Sequence, residues 1–597
     1  MLVPFVRKPA TLISFVREFE VPRRLRAFVR ARETSLVLLA SIVGAVSGLV
    51  VAAMGASVGM LHIVFFGIEP GERLSAVAAL DPWLAVTVPC LGGLALGLAT
   101  ALIYRHRPRR EVDPIEANAL HGGRMSLVGS LIVALQTVWS SGVGASVGLE
   151  AGYTQLASGF AARLGQAFRL RRRDLRVLVG CGAAGAIAGA FGAPLAGAFY
   201  AFELIIGSYS VATLTPVGMA ALLGYLVVKL IAPVETGILA PAVTTVAGRD
   251  LIIAAGIGLL AALWGIGLMR GVGSCETLLA RLRVSSVLRP AIGGLCVGLL
   301  AIASPQVMSS GHGALYLSGI LDRPLAVVAL VFVLKSLASI VSLGTGFRGG
   351  LFFASLLLGA LGGHLFAAGL SALWPALALD PDIYAIIGMG ALSVSVIGGP
   401  LTMTFIALET TGNLWLTTAV LIAVIISAQV TRETFGYSFA TWRFHLRGET
   451  IRSAADVGWI RDLAVGRMMR HDVHTVPVAT FVADIREKFP LGSTGQVVAV
   501  DDDGRYAGIV LVAEAHAKEI ADSIPIRNIL HHLDDVLVPH MTIQEAVAAF
   551  DHSEAEALAV VDSRETLRVV GLLTEAYALR RYSEQSELHR RELLGET

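Results

Sequence analysis

The sequence predicts an all-α, polytopic membrane domain, built as an inverted repeat of tilted and discontinuous helices and followed by a soluble α/β domain. The first observation is composition, because 55% of the residues are hydrophobic and only 15% are charged, whereas soluble proteins carry about 25% charged residues. Charges are sparse from about residue 35 to about residue 430 and ordinary from about residue 440 onward. The other two observations are apolar segments broken by glycine or proline, and motifs that recur about 200 residues apart.

The apolar segments are numerous, but many contain glycine or proline. They lie near residues 35–66, 83–104, 125–140, 177–206, 213–232, 250–270, 287–303, 325–343, 350–372, 384–410 and 414–430. A simple transmembrane helix needs about 20 uninterrupted apolar residues. Interrupted helices are tolerated only where the exposed backbone is buried in protein or lines a water-filled cavity. We therefore expect a bundle of partly broken helices around a central site, within a membrane domain at 35–440.

The placement of basic residues predicts the orientation in the membrane. Residues 1–34 form a basic arm with eight Lys/Arg and three acids, and two further arginine clusters lie at 105–110 and 163–176. Basic segments beside spanning helices favour the cytoplasmic side. We expect a multi-pass protein of the cell (inner) membrane with both termini in the cytoplasm. The arm is too long and polar for a signal peptide.

Motifs for metal, redox or hydrolytic chemistry are missing from the sequence. The four cysteines are scattered, without metal or redox spacing, and we find neither an HExxH nor a GxSxG segment. We predict no metal, no nucleic-acid partner and no enzymatic activity. A membrane-embedded enzyme or sensor that uses intramembrane acids remains an alternative, which metal analysis would test.

Two sets of motifs recur in the same order in the two halves of the membrane domain, at about 35–232 and 250–430. Pro194-Leu195 is followed by Phe199, Ala201 and Glu203, and Pro400-Leu401 by Phe405, Ala407 and Glu409 at the same offsets. Upstream, Gly142, Gly144, Gly148 and Leu149 share their spacing with Gly344, Gly346, Gly350 and Leu351. Paired broken helices at corresponding positions of two halves indicate a transport site where the repeats meet.

The repeated glycine segments are the candidate site. Glu150 follows Gly148 and Leu149 at a predicted helix start inside the membrane region. Helix starts offer unpaired N–H donors to anions, and a carboxylate there can occupy an anion's place and swing away. An ordinary helix cap is the alternative, although intramembrane acids are by default functional. Phe352, after Gly349-Gly350-Leu351, stands at the matching start in the second half, where a backbone N–H can bind an anion weakly enough to release it.

These residues resemble the CLC family of chloride channels and proton-coupled chloride exchangers over nearly the whole chain. Gly148-Leu149-Glu150-Ala151-Gly152 is similar to the family's G-[KR]-E-G-P segment, which implies that Glu150 is a gate. Gly349 to Phe353 is similar to G-G-x-F-x-P, and Tyr437 matches an anion-coordinating tyrosine. The resemblance implies bound chloride and a homodimer with one pore per subunit. The predicted anion-binding residues are Gly148, Leu149, Gly350, Leu351, Phe352, Phe353, Tyr437 and Glu111.

Departures from the family pattern affect selectivity and proton coupling. Glu111 falls where the family's G-S-G-I-P motif has the serine that touches the central ion. An acid about 4 Å from an anion costs several kcal/mol, so Glu111 points away or the central site differs. The family's exchangers often carry a second acid directly after the position of Glu203, as an inner proton relay, and that position is Leu204 here. Glu203 itself is a candidate for an inner proton path.

The C-terminal region, 465–597, contains a second repeat, after a linker at 441–464. Its units, at about 465–520 and 525–582, each contain an amphipathic helix and two apolar strands, and a C-terminal tail follows them. They resemble a pair of cystathionine-β-synthase (CBS) domains. Such pairs often bind adenine nucleotides through an aspartate after the final strand, where Glu514 and Tyr577 stand here. A ligand-free role in dimer stability or gating is the alternative.

The function expected from the sequence is chloride transport gated by Glu150. Passive conductance is favoured because Leu204 removes the second acid, and a continuous proton path needs a relay. Chloride/proton antiport is the alternative, with water substituting for that acid. Fluoride, nitrate or another small anion is a further alternative, because Glu111 and the altered gate segment depart from the chloride-binding pattern.

Overall fold

The fold is described from a computed structural model, which divides the chain into two compact units, residues 1–456 and 457–597. It describes residues 22, 33–108, 110–232, 246–310, 321, 323–436, 438, 439, 441, 442 and 464–594. The predicted basic arm and linker lie almost entirely outside these residues.

The regular secondary structure described in the first half of the membrane unit is helical. Its helices are α1 (Glu33–Phe66), α2 (Pro82–His106), α3 (Pro114–Leu120), α4 (Leu127–Gly142), α5 (Glu150–Ala167), α6 (Arg172–Phe191), α7 (Pro194–Tyr200) and α8 (Val211–Ile231). A π-helical turn, Ala201–Ile206, continues α7. The π turn carries Glu203 at the end of the first proline motif.

The second half repeats this plan. Its helices are α9 (Gly248–Arg281), α10 (Arg289–Ala303), α11 (Leu325–Gly344), α12 (Phe352–Leu373), α13 (Pro381–Ile397), α14 (Pro400–Thr411) and α15 (Leu414–Thr434). In the described residues, eight helices are long and apolar enough to cross a membrane, and four shorter apolar helices accompany them. The predicted multi-pass helical domain is confirmed.

Glycine followed by proline breaks the chain at equivalent places in the two halves. Gly192 ends α6 and Gly398 ends α13, each with positive φ (67° and 88°). A left-handed residue of this kind closes a helix, and glycine adopts it without a steric penalty. Pro194 and Pro400 then begin the next helices at their first position, where the missing N–H costs nothing. The repeated sequence pattern is therefore a repeated pair of helix breaks.

Helix α5 is missing from the apolar segments recognised in the sequence. It contains polar side chains that are nevertheless buried, among them Thr154, Gln155 and Ser158. Gln155 donates to the carbonyl of Val112 at 2.8 Å, and Ser158 to that of Val179 at 3.0 Å. Hydropathy overlooks such a helix because its polar groups are satisfied by other helices rather than by water.

The two halves share one core, and equivalent residues touch each other. Phe199 of α7 stacks on Phe405 of α14 with ring centroids 4.4 Å apart. Phe191, at the end of α6, stacks on Phe353 at 4.3 Å. Phe199 and Phe405 hold equivalent positions in the two proline motifs, and contact between repeat counterparts is what a two-fold relation produces. Phe191 and Phe353 are not counterparts, but they also join the two halves. Aromatic pairs of this kind contribute about 0.5–1.5 kcal/mol each beyond their burial.

The second unit contains two small mixed sheets. The first has the strand order β1 (Thr475–Pro477), β2 (Gln496–Val500), β3 (Tyr506–Leu511), β4 (Leu530–His531), and the second has β5 (Val536–Leu537), β6 (Ala557–Val561), β7 (Val569–Thr574). In each, a parallel pair precedes an antiparallel pair. The helices are α16 (Val465–Met468), α17 (Val482–Lys488), α18 (Val512–Ala515), α19 (Ile543–Ser553) and α20 (Glu575–Leu594), with a 3₁₀ turn at Ile526–Ile529. This is the α/β arrangement expected from the sequence.

The two C-terminal repeats exchange their opening segments. Val465 and Met468 pack in the core of the second sheet beside Leu558, whereas Ile526 packs in the core of the first. Strand β4 likewise pairs with β3. The predicted unit 465–520 therefore contributes its first turn to the other sheet, because the apolar side chains of each opening segment are buried only there.

Close helix packing in the membrane unit depends on glycine. In α12 a β-carbon at Gly363 would lie 1.9 Å from the carbonyl oxygen of Tyr384, whereas at Gly369 nothing lies within 4 Å. Small residues of this kind let membrane helices approach each other. We expect Gly363→Ala to lower the free energy of unfolding by about 1–3 kcal/mol through overpacking. Thermal unfolding in detergent measures this, with Gly369→Ala in the same helix as the control. Equal melting temperatures for the two variants would contradict the packing.

Candidate functional site

Two helix starts, one from each half, are joined by backbone hydrogen bonds. Gly148 N–H donates to the carbonyl of Gly350 at 2.9 Å, and Gly350 N–H donates to that of Gly148 at 3.1 Å, as a single antiparallel bridge. Helix α5 begins two residues after Gly148, at Glu150, and α12 begins two residues after Gly350, at Phe352. The structure therefore brings together the two segments that the sequence repeat singled out.

Glycine is required on both sides of this bridge. A β-carbon at Gly148 would lie 1.9 Å from Oε2 of Glu150, and one at Gly350 would lie 2.5 Å from Oε1. A β-carbon at Gly349 would lie 2.5 Å from Cβ of Val147. The first two glycines thus leave the space that the carboxylate occupies, which is the close approach that only glycine allows.

The Glu150 carboxylate lies at the start of the opposite half's helix. Phe352 N–H donates to Oε1 of Glu150 at 2.6 Å, and the N–H groups of Phe353 and of Glu150 itself also interact with the carboxylate. Hydrogen bonds from N–H to an ionised oxygen are short and strong, and the positive end of the α12 dipole adds to the attraction. We call this arrangement of N–H groups the amide cup.

Two polar atoms at the amide cup lack a hydrogen-bond partner among the described residues. They are Oε2 of Glu150 and the hydroxyl of Tyr153, one turn along α5, and both residues are buried. A buried polar group without a partner costs about 1–3 kcal/mol. The carboxylate is therefore held through Oε1, and its Oε2 has no hydrogen bond to a described residue that would be lost on displacement.

Glu150 and Phe352 both line a cavity of about 1500 Å³. The charged residues around this cavity are five arginines and four acids: Arg110, Arg270, Arg281, Arg289, Arg348, Glu111, Asp113, Glu150 and Glu276. Tyr200 also lines it and interacts electrostatically with Glu150. A polar, wide cavity that reaches the amide cup provides a route along which a hydrated anion can approach.

Glu111 lies in this cavity but is directed at another helix start. Its Oε2 lies 1.5 Å from where a β-carbon of Gly129 would be, so the carboxylate packs on the bare backbone of the first turn of α4. Arg107 and Arg348 interact with it electrostatically. Of the two alternatives for Glu111, the geometry favours a carboxylate turned toward a positive helix end and compensated by arginine.

Glu203 and Glu409 cap each other's helices. Leu401 and Thr402 donate their N–H groups to Oε1 and Oε2 of Glu203 at 2.8 and 2.9 Å. Reciprocally, Leu195 N–H donates to Oε1 of Glu409 at 2.8 Å, and Ala196 N–H donates to its Oε2 at 2.9 Å. Both oxygens of each carboxylate are thus used in capping, a role worth about 1 kcal/mol. That Glu203 lies on an inner proton path stays a prediction.

The other predicted anion-binding residues lie in different surroundings. The N–H groups of Gly148 and Gly350 donate to each other's carbonyls in this arrangement, and anion binding at these two glycines stays a prediction. Leu149 and Leu351 are buried beside the cup. Tyr437 lies outside the described residues. Binding of an anion at the remaining N–H groups, those of Phe352 and Phe353, stays a prediction.

Sequence reasoning missed Lys335, a fully buried lysine in the apolar helix α11. Its Nζ donates to the carbonyls of Val307 and Ser309 at 3.0 and 2.9 Å. Ser309 N–H in turn donates to the carbonyl of Gly144 at 3.2 Å. Lys335 therefore stabilises the segment at Val307 and Ser309, which contacts the loop before Glu150. A single lysine within the apolar segment 325–343 was the sequence feature that could have identified this residue.

Comparisons with known families match both units. A family model described as voltage gated chloride channel matches residues 92–432, and one described as CBS domain matches residues 462–514. The described residues contain no group of three or more His, Cys, Asp or Glu placed to hold a metal ion.

Curated relatives cover most of the membrane unit. The chain is 32% identical over 427 residues to a ClcB-like chloride channel protein of Ralstonia nicotianae, covering 70% of this chain and 98% of that protein. It is 29% identical over 402 residues to the voltage-gated ClC-type chloride channel ClcB of Escherichia coli O17:K52:H18, covering 66% of this chain and 95% of that protein.

Solved structures share the fold. A slow cyanobacterial Cl⁻/H⁺ antiporter has a TM-score of 0.60 at 21% identity, covering 69% of this chain and 97% of that one. A eukaryotic CLC transporter has a TM-score of 0.59 at 19% identity and covers 92% of this chain and 98% of that one. At these identities the likeness concerns the fold.

A methyl group at Gly350 would fill the amide cup. Its β-carbon would lie 2.5 Å from the Glu150 oxygen position, which is too close for a carboxylate or an anion in the same place. We expect Gly350→Ala to lower anion flux in vesicles roughly five- to hundredfold, the equivalent of about 1–3 kcal/mol of overpacking. The loss should persist when Glu150 is also changed to alanine. Gly267→Ala, with nothing within 4 Å, is the control, and normal flux in Gly350→Ala would place the anion elsewhere.

Proposed function

The chain belongs to the family of voltage-gated chloride channels, and from this premise we propose that it carries chloride across the membrane past Glu150, which acts as the gate. The carboxylate occupies the amide cup when the pathway is closed. Chloride takes its place when the carboxylate leaves, and the N–H groups of Phe352 and Phe353 become the anion's donors.

One observation carries this proposal. The Phe352 N–H, from one half, donates to a carboxylate from the other half at 2.6 Å, inside a cavity of about 1500 Å³. A carboxylate oxygen there stands where a chloride ion would be held. Amide donors bind an anion without a full positive charge, so that it can also leave. An ordinary helix cap needs neither the cavity nor a second carboxylate oxygen that is buried without a partner among the described residues.

For the mode of transport we propose passive conductance. Proton-coupled exchange requires a relay of titratable groups from the gate to the other side of the membrane. Leu204 stands where such a relay would have a second acid, and both oxygens of Glu203 are held by the start of α14. Chloride/proton antiport is the alternative mode and would need water to carry the proton past Leu204.

A different small anion, such as fluoride or nitrate, is a second candidate cargo. Glu111, in place of the expected serine, brings an acid into the cavity together with Arg348. A central site of this composition supports a selectivity different from that of a serine-lined site. Competition fluxes across a halide and nitrate series separate these cargos.

For the assembly we propose a homodimer in the cell (inner) membrane with both termini in the cytoplasm. The family resemblance supports the dimer, and the arginines of the 163–176 segment support the orientation. For the CBS region, an adenine nucleotide is a candidate ligand near Glu514. The hydrogen bond between the Glu514 carboxylate and the His531 imidazole would have to open first, which favours a role without nucleotide.

Removing the gate carboxylate tests the proposal. We expect wild-type chloride flux to rise as the pH falls, because a protonated Glu150 loses its charge-assisted bond to Phe352 and leaves the cup more readily. Glu150→Ala should conduct about tenfold more than wild type at neutral pH, since such bonds contribute about 1.5–3 kcal/mol, and its flux should not depend on pH. Chloride efflux from vesicles between pH 5 and pH 8 is the measurement.

The matched control is Glu409→Gln, which alters another carboxylate at a helix start in the same unit. Its pH profile should follow wild type, because both Glu409 oxygens serve as caps. A wild-type flux that is independent of pH, or a Glu150→Ala profile equal to that of wild type, would refute the gate.

Simultaneous recording of chloride and pH in vesicles decides the mode. With passive conductance, an imposed chloride gradient drives no protons against their own gradient, in wild type or in Glu203→Gln. Uphill proton movement in wild type would establish antiport. Its loss in Glu203→Gln would further place Glu203 on the proton path.

A further inference from the structure

A second, smaller pocket lies where the end of α3 meets the turn between α5 and α6. Its volume is about 350 Å³. It is lined by Leu120, His121, Gly122, Arg124, Leu170, Arg172 and Leu175. None of these residues lines the cavity at Glu150, so the pocket does not belong to the transport pathway.

Two arginine side chains in this pocket are exposed and available. Neither Arg124 nor Arg172 has a side-chain hydrogen bond or ion pair with any described residue. Glu116 lies 3.7 Å from Nε2 of His121, and Asp174 follows Arg172 by two residues. The lining of the pocket itself contains two arginines and no Asp or Glu among the described residues. The pocket is therefore positively charged.

The backbone holds one of these arginines against the turn. Gly122 and Gly123 both have positive φ, 59° and 81°, which lets the chain reverse tightly after α3. A β-carbon at Gly122 would lie 2.6 Å from Nε of Arg172. The absence of a side chain there leaves room for the Arg172 guanidinium across the turn, within the same pocket as Arg124.

Leucines form the rest of the pocket wall. Leu120, Leu170 and Leu175 line it together with the two guanidinium groups. A free inorganic anion would gain nothing from an apolar wall, whereas a phospholipid presents a phosphate and, beside it, a glycerol backbone with acyl chains. The turn also carries Arg169, Arg171 and Arg173, and basic turns of this kind lie at the cytoplasmic surface.

We propose that this pocket binds the phosphate of an anionic phospholipid of the cytoplasmic leaflet, with Arg124 and Arg172 as the phosphate ligands. Guanidinium groups match phosphate oxygens in a two-pronged geometry. The three leucines contact the glycerol backbone and the first carbons of the acyl chains. Basic pockets between membrane helices on this side of a bilayer suit lipid headgroups.

Native mass spectrometry of the full chain in detergent, titrated with dioleoylphosphatidylglycerol, tests this proposal. Each basic residue at an anionic surface contributes about fivefold to affinity. We therefore expect the double variant Arg124→Gln/Arg172→Gln to bind the first phosphatidylglycerol about 30-fold more weakly than wild type. Arg124→Lys/Arg172→Lys keeps the charge and should lie between the two.

The control variant is Arg105→Gln/Arg283→Gln, which removes two exposed arginines outside both cavities and should bind like wild type. Equal loss in this control would reduce the effect to general surface charge and overturn the proposal. Inorganic phosphate at millimolar concentration and dioleoylphosphatidylcholine are the competing arms, and neither should displace phosphatidylglycerol. Displacement by inorganic phosphate would identify a free-anion site instead, and an unchanged affinity in the Gln variant would remove the site altogether.

Discussion

The hydrogen bond from Phe352 N–H to the Glu150 carboxylate joins the two halves of the membrane unit at the starts of α5 and α12. Two helices start there, and each leaves N–H groups unpaired. The bridge between Gly148 and Gly350 fixes the distance between the two starts. The Glu150 carboxylate then accepts hydrogen bonds from N–H groups at the start of α12. Without glycine at these positions the carboxylate would have no room, so the gate and the junction of the halves are one structural feature.

Among the described residues, carboxylates lie at helix starts of the opposite half in three places, yet only one of them is suited to move. Glu203 and Glu409 use both oxygens, each bound by backbone N–H groups of consecutive residues. Glu150 is bound through Oε1 while Oε2 is buried without a partner among the described residues. Displacing Glu203 or Glu409 would break the hydrogen bonds of both carboxylate oxygens. Displacing Glu150 would break the hydrogen bonds of Oε1 only. Glutamate therefore stabilises the contact between the halves at Glu203 and Glu409, whereas at Glu150 it can leave its helix start.

Sequence reasoning located the helix starts at Glu150 and Phe352 because glycines precede both and the repeat gives them equivalent positions. It could not identify the atoms that pair across about 200 residues, such as the exchange of caps between Glu203 and Glu409. Spacing records local backbone requirements, whereas long-range partners depend on how the two halves pack. The list of apolar segments omits the body of α5 for a related reason, since its buried polar residues are satisfied by other helices. The exchange of opening segments in the C-terminal unit is likewise a tertiary choice without a local signal.

Glu111 shows how a charge that opposes the cargo can be retained near its route. An isolated acid beside an anion path would repel the anion, and the repulsion would grow as water is excluded. Here the carboxylate rests on the Gly129 backbone at the start of α4, and Arg107 and Arg348 interact with it. The positive end of the α4 dipole and the two guanidinium groups therefore offset the negative charge of Glu111. It follows that removing Arg348 alone would leave Glu111 with one arginine fewer to offset its charge near the anion route. Removing Glu111 and Arg348 together would leave the local net charge unchanged.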